Sequence, residues 1–435
     1  MIDSFSWYAA HGISREVFEL SQSAMHKTED AMARIDYVRE KRQLEVLAAF
    51  IEAGVSESAF NSKTGYGYDD LGREQTEAVF ARAFKAEDAL VRLQFSSGTH
   101  VLATCLRALL TPGDDMLIVT GRPYDSLLQT LGHVENVVRE QGSALQAVSS
   151  QSLTARGISV RQVDLLPDDG IDLEGISSYL RPTTRLVYIQ KSRGYAARPA
   201  LTNQDIGAIV KAARKVMPDV IIFIDHCYSE FVEADEPLSF GADLIAGSLI
   251  KNPGSGIAPG GGYIAGRKDL IEEISEGMTA VGVGRHVGPS FGLTRLLLQG
   301  LYLAPTVVAT AMKGAVHLAA LFKLAGYHVA PLPDGVRGDI VQLVRLESAE
   351  KLDLFCSAVQ STSPVDAYLT PIPAPMPGYD CEIIMAAGSF VQGSTIELSA
   401  DGPVRPPYNV FMQGALTFEQ SRLAAMKALE SVGYR

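Results

Sequence analysis

The spacing of apolar residues changes character along the chain, and the changes divide it. From about Glu16 to Ala53 helix formers dominate, with apolar Val38, Leu44, Val46, Leu47 and Phe50, which predicts an N-terminal helical arm that breaks at Gly54. The Gly/Tyr/Asp stretch from Lys63 to Gly72 predicts an ordered loop, a kind of segment that often carries function. Between Arg73 and Gly266, helical patterns alternate with short apolar runs at Met116 to Val119, Ile158 to Val163, Leu186 to Ile189, Val220 to Ile224, Leu244 to Ala246 and Tyr263 to Ala265. That alternation predicts βαβ units around a mostly parallel sheet. The clearest unit is a helix over Asn203 to Val216 and a strand over Val220 to Ile224, with Pro218 and Asp219 between them as a helix stop.

A long helical stretch, about Ser290 to Leu324, leads into a region of different texture. There, strand-like Ile340 to Leu346, Glu382 to Met385 and Thr395 to Leu398, helical Ala349 to Ala358 and a last helix near Phe418 to Ser431 predict a smaller α+β domain. The expected organisation is therefore an arm over residues 1–60, a large domain over 61–300, and a bridging helix with a small C-terminal domain over 301–435.

Composition narrows the function. The 435 residues suffice for a full-sized core, and 47% hydrophobic with 20% charged residues is ordinary globular composition. With 38 basic and 50 acidic residues the formal charge is −12, no basic patch stands out, and nucleic acid and anionic membranes are disfavoured as partners. No signal-like N-terminus or continuous apolar run of about 18 residues is visible, so a cytoplasmic location is expected. Cys105, Cys227, Cys356 and Cys381 form no C-x-x-C pair, and His226-Cys227 has no further ligands converging in sequence, so no metal site is expected.

The sharpest chemical feature is Ala246-Gly-Ser-Leu-Ile-Lys251, a short strand ending in a lysine and followed by a glycine-rich turn up to Gly262. In α/β folds the carboxyl ends of strands face the ligand cleft, and a lysine there can act as a nucleophile. Alone it reads more readily as a surface charge. Asp225 ends another apolar strand 26 residues earlier, room for one crossover, where a carboxylate can pair with a protonated pyridine nitrogen. Ser97-Gly98-Thr99 opens a helix whose free N–H groups favour a phosphate, although the same cluster makes an ordinary helix cap. Ser248 is a further phosphate donor. Tyr124, just beyond the strand Met116 to Val119, can stack on a flat heteroaromatic ring or serve as a buried structural tyrosine.

This ordered set, Ser97-Gly98-Thr99, Tyr124, Asp225 and Ser248-x-x-Lys251, resembles the cofactor site of fold-type I pyridoxal 5′-phosphate (PLP) enzymes. Gly65 to Arg73, Phe95 to His100, Ile250 to Ser255 and Leu398 to Tyr408 resemble, in the same order, the methionine γ-lyase-like or aluminium-resistance group related to cystathionine β-lyases. The resemblance implies an aminotransferase-like α/β fold with a seven-stranded-type, mostly parallel sheet. It implies PLP held by Lys251 as a Schiff base, paired with Asp225, stacked on Tyr124 and gripped through its phosphate by Ser97, Gly98, Thr99 and Ser248. It also implies that Arg405 binds the α-carboxylate of a small amino-acid substrate. A homodimer or homotetramer with shared sites is expected, in which Tyr66, Tyr68 or Arg73 reaches the neighbouring subunit, Tyr68 foremost and as a cofactor contact.

Two departures limit the transfer. Ser248-Leu-Ile-Lys251 lacks the second hydroxyl of the Ser-x-Thr-Lys common in sulfur-amino-acid lyases, and Lys191-Ser-Arg-Gly-Tyr195 replaces their Pro/Asn-rich segment. The expected activity is C–S lyase-like, by β- or γ-elimination. An aminotransferase stays open because the early chemistry is shared, and a non-catalytic PLP-binding stress or metal-resistance protein stays open because aluminium resistance is a phenotype rather than a reaction. A nicotinamide oxidoreductase is disfavoured: Gly282 to Gly288 is misspaced for G-x-G-x-x-G and follows no strand.

Overall fold

A computed structural model describes residues 4–66, 70–137, 141–142, 148–376, 379 and 381–435. The apolar runs become the strands of one sheet: β1 (Asp88–Arg92), β2 (Asp115–Ile118), β3 (Ser159–Gln162), β4 (Thr184–Gln190), β5 (Ile221–Asp225), β6 (Leu244–Ser248) and β7 (Gly262–Gly266). Their spatial order is β1-β7-β6-β5-β4-β2-β3, and the short strands Glu135–Asn136 and Gln141–Gly142 extend the β3 edge to make nine. From β6 to β3 all neighbours are parallel, while β7 runs antiparallel to both β6 and β1. Every residue of β5, β6 and β7 is buried, as expected of strands covered on both faces.

The helix Gly98–Leu109 seats against this sheet because Gly262 has no side chain: a Cβ there would overlap Val101. That close approach fixes where the helix N-terminus points. The clearest predicted unit is seen with the predicted helix bounds, Asn203–Val216, closed by a reciprocal capping box between Thr202 and Asp205.

Helix Thr294–Leu324 bridges two cores. Leu297, Leu298, Leu301, Val308 and Met312 pack with the large sheet, whereas Leu318, Leu321 and Phe322 pack with the second domain and the helix Arg15–Lys27. By length and composition alone this helix could cross a membrane, but 72% of its most apolar window is buried inside the protein. The second domain is built on a six-stranded antiparallel sheet, ordered His328–Ala330, Gln342–Arg345, Asn409–Gln413, Ser399–Pro403, Glu382–Ala386 and Ala374–Pro375.

The helical stretch expected from about Glu16 to Ala53 is present as two helices, Arg15–Lys27 and Glu29–Glu52, separated at Thr28, whose hydroxyl donates to Ala24 O at 2.9 Å and so competes with the helical ladder. The sheets depart from expectation at two strands. Strand β1 was not anticipated, since Asp88 and Arg92 bracket only three apolar residues. The strand expected over Thr395 to Leu398 lies instead at Ser399–Pro403, a run of low β-propensity. Gly402 is needed there because a Cβ would sit 2.5 Å from Asn409 O on the neighbouring strand.

At the amino edge of the large sheet, buried Arg161 grips Asp115 through two donors at 2.6 and 2.5 Å, and Thr184 donates to the same carboxylate at 2.6 Å. Burial opposes the charge on Asp115, but these bonds outweigh it and hold its pKa below the ordinary 3.8. Its stabilisation is therefore complete above that ordinary value and lost as pH falls through the lower folded-state value. Asp115→Ala strands the Arg161 guanidinium and should cost about 3–5 kcal/mol at neutral pH. Urea denaturation of the two proteins measures the difference.

Candidate active site

The carboxyl edge of the large sheet gathers the chemistry. In the parallel register of β5 and β6, Asp225 is opposite Ala246, and the chain then runs through Ser248 into the turn that presents Lys251. Lys251 Nζ stands 3.9 Å from the centre of the Tyr228 ring, a cation–π contact. Burial disfavours its charge, but the acidic surroundings oppose that, the Asp225 carboxylate being the group among them that is anionic near neutral pH, and the amine is held above the ordinary lysine value. Tyr228 has φ +70°, a left-handed conformation unusual for a tyrosine, in the turn directly after β5.

Asp225 is 6% exposed, and its carboxylate accepts from Cys227 N–H at 3.2 Å and from the Tyr188 hydroxyl at 3.4 Å. Burial raises its pKa despite those bonds and the positive charge of Lys251. A carboxylate left in that state gains from any further cation placed beside it.

Helix Gly98–Leu109 points its N-terminus at the same place. Ser97 caps it by accepting from His100 N–H at 3.1 Å, so the bland cap reading of Ser97 holds; the first-turn N–H groups that follow are the ones a helix leaves without internal acceptors. A Cβ on Gly98 would lie 3.4 Å from Ser248 Cβ and 3.6 Å from Cys227 Sγ, so the helix start, β6 and the β5 turn converge. The Thr99 hydroxyl meets that of Ser126 at 2.7 Å, adding a hydroxyl that the sequence reading did not single out.

Tyr124 is held at both ends. Its N–H donates to Gln190 Oε1 at 2.7 Å, and its hydroxyl accepts from Tyr379 at 2.6 Å. Gln190 is itself fixed: its N–H donates to Thr120 Oγ1 at 3.2 Å, its side chain donates to Ser192 O at 3.1 Å, and Arg198 donates to Gln190 O and Ser192 O at 2.9 and 2.5 Å. The Lys191-Ser-Arg-Gly-Tyr195 segment thus forms a braced loop that also supplies Tyr195, whose ring centre is 6.4 Å from that of Tyr124.

Lys251, Asp225, Tyr124, Ser97, Gly98, Thr99 and Ser248 therefore come together. Others stand apart. Arg73 is buried and donates to Gly65 O at 3.2 Å, while Tyr66 is 88% exposed and bridges Val287 through its backbone. Tyr68 lies outside the described residues. Arg405 is exposed on the loop after Ser399–Pro403, its N–H donating to Pro403 O and its carbonyl accepting from Tyr408 N–H, both at 2.8 Å. Sequence reading missed Tyr228, Gln190, Tyr195 and Tyr379. Asp225-x-x-Tyr228 was a signal available in the sequence, whereas Tyr379 arrives from the other domain and left none.

A flat cationic heterocycle bearing a phosphate and an aldehyde matches this donor set: a buried carboxylate short of cations, a helix N-terminus with hydroxyls, a braced aromatic ring and a lysine amine. Fold and site define the class of PLP-dependent, carbon–sulfur lyase-like enzymes of fold type I. The family model for methionine gamma-lyase matches residues 17–433, and the chain belongs to that family. It is 42% identical to the uncharacterized protein YnbB of Bacillus subtilis (strain 168) over 399 residues, 92% of each chain. It is similar to the crystal structure of a carbon–sulfur lyase involved in aluminum resistance from Clostridium novyi NT, with 41% identity, a TM-score of 0.91 and full coverage of both chains. L-methionine gamma-lyase of Treponema denticola is 26% identical over 241 residues, covering 54% of this chain and 51% of that one.

If Gln190 places Tyr124, a side chain at 190 must keep an acceptor for the Tyr124 N–H. Gln190→Leu should lose about 1–3 kcal/mol of stability by leaving that N–H unpaired, and Gln190→Glu should lose less. Urea denaturation ranks the two variants, and amide hydrogen exchange at Tyr124 shows whether the bond is the cause.

Proposed function

We propose that this enzyme uses PLP anchored on Lys251 to release a sulfur-bearing group from a small amino acid by β- or γ-elimination. The observation that carries the reading is the convergence of a lysine amine, a buried cation-poor carboxylate and a helix N-terminus at one sheet edge, in a chain of the methionine gamma-lyase family. When bound, PLP supplies an electron sink for the negative charge left at the substrate's Cα.

This chain's own groups do the rest. Asp225 would pair with the ring nitrogen and keep it protonated. Gly98 and Thr99 N–H groups, with the Ser97, Thr99 and Ser248 hydroxyls, would hold the phosphate. Tyr124 would stack on the ring. The Tyr228 phenol, raised above the ordinary tyrosine value mainly by burial, stays protonated beside Lys251 and orients its amine. Lys251 takes the proton from Cα and returns it to the product, the double duty that a displaced lysine permits. Arg405 is the resemblance-based candidate for the α-carboxylate, a role its exposed loop can fill only by approach from the loop or from a neighbouring subunit. Tyr66, Tyr68 and Arg73 remain our candidates for the reach into that neighbour within a homodimer or homotetramer, in a cytoplasmic setting.

Incubation of the PLP-loaded enzyme with a panel of thioether amino acids tests the reaction. Release of thiol and an oxo acid is expected, and Lys251→Ala should lower the rate by roughly 10²–10⁴-fold or more. Transfer of the amino group to an added oxo acid without thiol release would make the protein an aminotransferase instead. Bound PLP with no turnover would mark a non-catalytic PLP-binding protein.

A further inference from the structure

Strand Ser399–Pro403 carries Asp401 beside the contact between Tyr195 of the large domain and Phe411 of the second, and among the described residues no cation pairs with it. Asp401 is 4% exposed; its Oδ2 accepts from Gln413 Nε2 at 2.9 Å, the Tyr195 hydroxyl is near enough to favour its charge, and Oδ1 has no hydrogen-bond partner. Among the described residues no ion pair includes it. Burial lifts its pKa to about 6, Tyr195 and Gln413 offsetting only part of that rise.

Its surroundings are aromatic. Asp401 and Phe411 are direct partners on adjacent antiparallel strands, so their side chains share a face. The Phe411 ring centre is 5.3 Å from that of Tyr195, which is in turn 5.5 Å from Tyr379 and 6.4 Å from Tyr124. The same rings reach the candidate active site: the Tyr379 hydroxyl donates to that of Tyr124 at 2.6 Å, and the charges of both Asp401 and Lys251 are felt at Tyr124 and Tyr228.

A buried carboxylate with one open oxygen gains strongly from a cation, and electron-rich ring faces add to that preference. An apolar group would leave Oδ1 unpaired, a neutral donor would leave the carboxylate charge uncompensated, and a second carboxylate would be repelled. We propose that Asp401, with the rings of Tyr195 and Tyr379, receives an ammonium group at the far end of the substrate's side chain, selecting thioether amino acids with an aminoalkyl leaving half. The proposal rests on the lyase reading of the same site and narrows its substrate class.

The test has a binding arm and a turnover arm. Calorimetric titration of the PLP-loaded protein with the α-desamino forms of S-aminoethylcysteine and S-propylcysteine reads the subsite; the cofactor absorbance should stay unchanged, and a change on adding the aminoethyl probe would place its amine at the aldehyde instead of at Asp401 and overturn the proposal. The aminoethyl probe should bind the wild-type protein at least about tenfold tighter than the propyl probe, a preference that a charge-assisted bond supplies. Asp401→Asn should abolish that preference. Equal affinity of the two probes for the wild type, or a preference that survives in Asp401→Asn, overturns the proposal; the wild-type comparison decides even if the variant fails to fold. In turnover, kcat/KM should favour S-aminoethylcysteine by a similar factor, with the loss in Asp401→Asn appearing mainly in KM. Should neither amino acid release thiol, the lyase reading fails while the binding arm still judges the subsite.

Discussion

The structure turns on burying a lysine amine and an aspartate carboxylate close enough to act on each other at one edge of a parallel sheet. Either charge alone would be costly in so enclosed a place, and together they are eased without being matched: the Asp225 carboxylate still titrates above its ordinary value. The parallel pairing of β5 with β6 brings them there, because the two strands end side by side and release their next residues into one cleft. Gly262 admits the helix whose N-terminus faces that cleft, and the long helix Thr294–Leu324 ties the sheet to a second domain that supplies Asp401 and Tyr379.

Polar groups are sorted between the two edges of the sheet. At the amino edge, Asp115, Arg161 and Thr184 satisfy one another, and the result is a closed network that stabilises. At the carboxyl edge Asp225, and in the second domain Asp401, are buried, and burial lifts the pKa of both. Perturbed carboxylates of that kind are characteristic of sites built for a ligand. The aromatic groups between them, Tyr124, Tyr195, Tyr228 and Tyr379, give the cleft faces suited to a flat ring and to a cation.

Much of this was legible in the sequence, for reasons that differ by element. Asn203–Val216 and β5 announced themselves because amphipathic period, cap and stop agreed. Lys251, Asp225 and the Ser97 turn could be placed on strand ends and a helix start because those positions depend on local pattern. The strand Ser399–Pro403 was not legible, since its pairing is set by neighbours and by the close approach at Gly402 rather than by its own propensity. Tyr379, 255 residues from its partner Tyr124, left no local trace. Arg405 and Asp401 belong to one motif, and only the fold shows which of them is turned inward: Asp401 is buried and Arg405 is exposed.

The central claim is that Lys251 is the covalent anchor for PLP. Reduction of the PLP-loaded protein with borohydride, followed by proteolysis and mass spectrometry of the peptides, tests it most directly. The account predicts a single pyridoxyl group on the peptide containing Lys251; a label on another lysine, or none at all, would contradict it.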